Sequence, residues 1–195
     1  MRKRAQQVDE TRQRIIEAAA ELHTTIGPAG ITISALAEAA GVTRLTVYRH
    51  FPAEDELFDA CRRHWIVRHP PPDPDAWRTL PPLEERARRA LADLYAWYGA
   101  HREALYPLYR DFTAMPTAVQ RSMQAADART ADALIDGSGL RGNARRRLRA
   151  AAGHVVSYWT WSSLSVDQGL DHHEAVCLAV RLLTAAGADC ADGPA

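Results

Sequence analysis

The chain has 195 residues, 47% of them hydrophobic, with 24 Lys plus Arg against 24 Asp plus Glu. This is the composition of a folded chain of one or two domains and not of a disordered one. The formal net charge of zero excludes a protein that coats nucleic acid by bulk charge, but it leaves room for a local basic patch.

The N-terminus begins Arg2-Lys3-Arg4 and turns polar at Gln6, Gln7, Asp9 and Glu10. No apolar run follows the charges, so it does not read as a signal peptide. Residues 12–26 place Ile15, Ile16, Ala19, Leu22 and Ile26 on one face at the helical period. Gly27-Pro28-Ala29-Gly30 ends that helix. Thr32 is a cap for a helix over 33–40, Gly41 turns the chain, and Thr43 caps a helix running to about His50. Phe51-Pro52 breaks it, and a further helix starts near Ala53 and Glu54, with three acids in its first turn.

Residues 68–82 hold six of the eleven prolines and read as a linker, which sets the division between residues 1–67 and 68–195. Beyond it, Leu83, Ala87, Ala90, Leu91, Leu94, Tyr95 and Tyr98 form one helical stripe. Leu105, Leu108, Tyr109 and Phe112 form a second, interrupted by Pro107, and Val119, Met123, Ala126 and Thr130 a third. Two long helices are expected over 144–166 and 172–186, both apolar on more than one side. The run 150–166 carries no formal charge but includes His154, Ser157 and Thr160, so a buried helix is expected rather than a membrane span. Cys61, Cys177 and Cys190 are odd in number and scattered, which argues against a disulfide framework and for a reducing cytoplasm.

The segment with functional content is ITISALAEAAGVTRLTVYRHF, residues 31–51: a helix, a tight glycine turn and a second helix. Val47 faces the core, while Thr43, Arg44, Leu45, Thr46, Tyr48, Arg49 and His50 remain for the surface. Between residues 39 and 53 there are two Arg and no acid, against seven basic and five acidic residues over 1–51. A duplex backbone requires such a gap in acidity. Thr43 and Tyr48 hydroxyls, with the amides of the helix start, suit phosphate. Arg44 and Thr46 sit where a recognition helix reads base edges, Arg44 matching guanine and Leu45 a thymine methyl. With Thr32, these form the expected DNA-facing set.

These residues resemble the DNA-binding domain of the TetR (tetracycline-repressor-like) family. The likeness covers residues 12–58: Ile15-Ile16-Glu17-Ala18-Ala19, Gly27, Ile33 with Leu36-Ala37 and Ala40-Gly41-Val42-Thr43, Val47-Tyr48 with Phe51, and Glu56-Leu57-Phe58. The resemblance implies an all-α homodimer. Its three N-terminal helices would bind operator DNA, and its C-terminal helical domain would bind a small molecule and dimerise. It also implies a repressor released by that ligand. Two positions depart from the family pattern: Leu45 stands where a small residue is usual, and Ala53-Glu54 where a Ser-Lys pair is common. The second removes a helix cap and a phosphate contact, which a basic arm of Arg2-Lys3-Arg4 in the minor groove would offset.

In the C-terminal part, Tyr95, Tyr109, Phe112, Met123, His154, Tyr158 and Trp161 combine apolar surface with polar tips, as ligand pockets do. The same rings serve equally as core. By the family resemblance the last two helices, with Trp159, Val166, Val176, Val180 and Leu183, form the dimer surface.

Other signals carry less. The match to G-x-G-x-x-G at 137–142 follows a helix, not a strand, and reads as a loop. Arg141, Arg145, Arg146, Arg147 and Arg149 read as a solvated helix face. Asp171 and Glu174 fit a capping box, and adjacent His172 and His173 diverge on a helix, so no metal is expected there. Cys61 and His64 alone do not make a site. No nucleophile or metalloprotease motif is present, and no cofactor is expected. The expectation is a non-enzymatic, cytoplasmic, ligand-responsive DNA-binding regulator. The alternative is a small-molecule-binding protein or enzyme with a degenerate helix-turn-helix.

Overall fold

The computed structural model describes residues 2–80 and 82–187, with side chains from residue 6 onward. Its regular structure is helical, with no strand among the described residues. In chain order the helices are α1 (Arg2–Thr25), α2 (Ile33–Ala39), α3 (Arg44–His50), α4 (Glu54–Arg68), α5 (Pro74–Arg78) and α6 (Leu83–Ala100). There follow α7 (Arg102–Arg110), α8 (Thr117–Ile135), α9 (Gly142–Val155), α10 (Tyr158–Ser162) and α11 (His172–Gly187). No helix among the described residues is long and apolar enough to cross a membrane.

The chain divides into two compact units, each made from two stretches of sequence. The first is Met1–Pro70 with His101–Ser122, and the second is Pro71–Ala100 with Met123–Ala195. One crossing, Pro70 to Pro71, lies within the proline-rich stretch, and the chain returns to the first unit with α7.

In the first unit α1 packs against α2, α4 and α7. The expected apolar face is buried at Ile15, Ile16 and Ala19, joined by Leu36, Ala37, Val47, Phe51 and Leu57. Ile26, expected on that face, lies past the helix end and is exposed. The backbone is helical from Arg2, so the expected flexible arm is the first turn of α1; the side chains of Arg2-Lys3-Arg4 lie outside the described residues, as does Cys190. Helix α2 ends in a Schellman turn. The Val42 amide donates to the Ala37 carbonyl (2.9 Å) and the Gly41 amide to Glu38 (3.0 Å), with Gly41 at φ 62°.

In the second unit α11 packs on both α6 and α9. Ala87, Ala90, Leu91 and Leu94 of α6 are buried, as are Leu148, Ala152 and Val155 of α9 and Ala175, Val176, Ala179, Val180 and Leu183 of α11, which packs between them. Val176, Val180 and Leu183, expected on a dimer surface, therefore serve this chain's own core. The apolar side chains left exposed on α11 are Leu178 and Leu182, with Trp159 and Val166 before it.

Two further expectations are corrected. The proline-rich stretch is not all linker, because Asp73 caps α5 through the Asp75 amide (3.0 Å) and Pro74 opens it. Trp77 is then buried, its indole N–H donating to Asp93 (3.0 Å). The helix expected over 144–166 is broken after Val155, and Ser157 caps α10. The break leaves the carbonyls of Val155 and Val156 without intrahelical donors, and the buried phenols of Tyr95 and Tyr98 donate to them, each at 2.8 Å.

Candidate nucleic-acid interface

The two short helices of the turn are set by their caps. The Thr32 hydroxyl accepts from the Ala35 amide (3.1 Å) and the Thr43 hydroxyl from the Thr46 amide (3.2 Å). Thr43 and Thr46 hydroxyls also meet at 2.9 Å. The Thr32 hydroxyl can still donate its O–H outward while holding its helix, and the Thr43–Thr46 hydroxyl pair uses one O–H between the two and leaves the other to donate outward. The Thr46 amide, expected to be free for phosphate at the start of α3, is taken by the cap.

Burial of Val47 on one side of α3 and of Phe51 just beyond it fixes which side turns out. Arg44, Leu45, Tyr48 and Arg49 are exposed, Leu45 at 78%, while Thr46 and His50 are partly covered. A leucine that far from any core contact is available to a partner surface.

The cationic patch is larger than residues 39–53 suggest. From α1, the Arg12 guanidinium lies over the Phe51 ring (4.5 Å to its centre), and Arg14 lies beside Gly41. Sequence reasoning missed both. Their signal was the position of Arg12 and Arg14 on either side of the turn that leads into the buried Ile15-Ile16 pair. His50 adds less charge than expected: partial burial, then Arg49 and Arg12, hold its imidazole below the ordinary value. The cap expected to be missing from α4 is missing, since Ala53 offers no side-chain bond to the helix start.

The loop feeding α2 is held by α7. Arg110 donates to both oxygens of Asp111 (2.7 and 2.9 Å) and to the Ile26 carbonyl (2.7 Å), and the Ala29 amide donates to Asp111 (3.1 Å). The Arg110 guanidinium, with the Ala29 amide, holds the Asp111 carboxyl below the usual carboxylate range. Gly27 permits this closeness. It sits at φ 96°, ψ 154°, and a Cβ there would strike the Asp111 carboxylate and the Arg110 guanidinium and lie 3.2 Å from Pro107. Gly27→Ala is therefore expected to destabilise the protein by about 1–3 kcal/mol and to weaken DNA retention. Gly41→Ala, strained in φ but meeting only the Arg14 guanidinium at an ordinary contact distance of 3.7 Å, should cost only about 1–2 kcal/mol. Equal melting temperatures for Gly27→Ala and the parent would remove the packing argument.

The aromatic set does not come together as one group. Tyr95, Tyr158 and Trp161 are buried in the second unit around Tyr98, with Tyr98–Tyr158 and Tyr158–Trp161 ring centres at 5.5 and 5.4 Å. Burial pushes the Tyr95 phenol well above its ordinary value. Met123 is partly covered on α8, and His154 is exposed. Tyr109 and Phe112 belong to the first unit.

Residues 15–61 match the family model described as bacterial regulatory proteins, tetR family. The chain is 46% identical over 59 residues to the HTH-type transcriptional regulator SrpR of Pseudomonas putida, a match covering 30% of this chain and 28% of that protein. It is 40% identical over 57 residues to the HTH-type transcriptional regulator AcrR of Shigella flexneri, covering 29% of this chain and 26% of the relative. The chain thus spans between about a quarter and under half of the length of the curated relatives it matches. In fold it is similar over 89% of its length to 93% of a TetR-like transcriptional regulator from Rhodococcus sp. RHA1, with a TM-score of 0.57 at 22% identity. Over residues 15–61, the stretch that holds α2 and α3, this chain is thus similar to the tetR family of bacterial regulatory proteins.

Proposed function

We propose that the protein is a sequence-specific DNA-binding transcriptional regulator of the cytoplasm, a repressor released from its operator by a small molecule. The observation that carries this reading is the outward face of α3: Arg44, exposed Leu45, Tyr48 and Arg49 on a helix capped by Thr43, flanked by Arg12 and Arg14 and free of acids. Thr32, Thr46 and His50 complete the DNA-facing set. The matched relatives are named as HTH-type transcriptional regulators, which supports the same choice. A second copy would pack on exposed Trp159, Val166, Leu178 and Leu182, and two-fold symmetry would space the recognition helices by about 34–36 Å. The second unit, with Tyr95, Tyr158 and Trp161, would bind the effector in the conformation that holds the two α3 helices out of register with DNA, so that operator affinity falls by linkage.

The test is retardation of the protein's own upstream DNA across a salt series. A steep loss with salt is expected, and no retarded band at low salt overturns the regulator reading in favour of a degenerate DNA-binding head. Arg44→Ala should weaken operator binding by about 1–3 kcal/mol and relax discrimination at one base pair. Equal weakening on all sequences would assign Arg44 to phosphate instead. Tyr48→Phe should weaken operator and random DNA alike; a loss confined to the operator would contradict its phosphate role.

A further inference from the structure

Cys177 stands apart from the other described cysteine. Cys61 is buried between α4 and α1, its thiol donates to the Ile16 carbonyl (3.6 Å), and burial pushes it up to about 12. Cys177 lies partly exposed on α11, among polar groups from two helices of the second unit. His173, one turn earlier, brings its Nε2 to 3.5 Å from the sulfur. Arg88 of α6 brings Nη1 to 3.5 Å. The other arm of Arg88 is held by Glu84 (2.9 Å), which leaves Nη1 directed at the sulfur. A thiol that only filled space would need neither a base nor a guanidinium. A metal site is disfavoured by that same cation, and no group of three or more His, Cys, Asp or Glu side chains placed to hold an ion occurs among the described residues. Asp171 and Glu174, the nearest acids in sequence, are occupied with each other's amides as a capping box (3.0 and 2.8 Å).

We propose that Cys177 is an acceptor site for soft carbon electrophiles, of which α,β-unsaturated carbonyl compounds are the representative class, with His173 as its proton acceptor and Arg88 as the charge that steadies the sulfur. The thiol proton passes to Nε2 of His173, and the sulfur lone pair forms a C–S bond to the β-carbon of the electrophile. The C=C π pair shifts to the carbonyl oxygen as an enolate, and the His173 imidazolium returns the proton at the α-carbon. The sum is thiol plus alkene giving thioether, with no oxidant or reductant. The site is a seam: α11 packs on α6, so an adduct at Cys177 inserts bulk where Arg88 now reaches across. That such an adduct would act as an effector rests on the regulator reading; the chemistry itself does not.

The experiment is a time course of N-ethylmaleimide labelling of the full chain at neutral pH in a Cys190→Ser background, followed by intact mass and peptide mapping. Cys177 is expected to be labelled first and Cys61 to stay unlabelled. His173→Gln and Arg88→Gln, checked for unchanged helical content, should each slow labelling of Cys177 by roughly tenfold. Labelling of Cys177 no faster than in the unfolded chain, or unchanged by both substitutions, would overturn the proposal. Because mass is the readout, failed labelling and failed DNA retardation remain separate results.

Discussion

Acidification from about pH 7 to about pH 4 is expected to remove about 3 kcal/mol of stability through His23 alone. His23 is a buried side chain of α1, stacked on Phe58 of α4 with ring centres 4.3 Å apart. Burial lowers its pKa from 6.5 to about 4, because the charged form would have to give up water. Between those values the unfolded chain binds a proton that the folded chain refuses. The stability is therefore full above about 6.5 and is lost as pH falls through about 4. Asp127 of α8 runs the other way: burial raises its carboxyl from 3.8 to about 6, so it disfavours the folded state as pH rises through that window. Urea midpoints across this range, on the parent, His23→Gln and Asp127→Asn, separate the two. His23→Gln should flatten the acid side, and Asp127→Asn should raise stability at neutral pH. An acid loss as steep in His23→Gln as in the parent would assign it to other groups.

Leu36→Ala is expected to cost about 2–5 kcal/mol, a large share of a typical total of about 5–15 kcal/mol. Leu36 is 1% exposed in the core beneath the turn, among Ile15, Val47 and Phe51. Its loss leaves a cavity under the helix pair, so DNA retention should fall with stability. Leu45, nine positions later, is the contrast: at 78% exposed, Leu45→Ala should change stability by less than about 0.5 kcal/mol while altering which operator is preferred. If Leu36→Ala unfolded at the parent's urea midpoint with an unchanged slope, the packing account of the head would be wrong.

What was legible in the sequence was local. The cap threonines, Gly41, the Asp171–Glu174 box and the apolar faces of α6 and of α1 as far as Leu22 act through neighbours within a few positions, and each took its expected form. Asp73 and Pro74 are an equally local start signal for α5, masked by the prolines around them. The break after Val155 was not legible, because the groups that satisfy the freed carbonyls are Tyr95 and Tyr98, far earlier in the chain. The outward side of α11 was misassigned for a related reason. A helix packed on two neighbours buries most of its apolar residues, and periodicity does not say which few remain. In the candidate interface, the exposed set on α3 followed from Val47 alone. The contribution of Arg12 depended on where Phe51 came to rest.

The Arg110–Asp111 grip on Ile26 and Ala29 also bears on inheritance. The family match ends at residue 61, which marks a tempting point for exchange between genes. A recombinant that took its first 61 residues from a relative would bring in a new α1–α2 loop and keep an Arg110–Asp111 pair fitted to the old one, with Gly27 as the residue that made the fit possible. Exchanges in this lineage should therefore succeed when residues 101–122 travel with the head or when the incoming loop carries glycine at that same place.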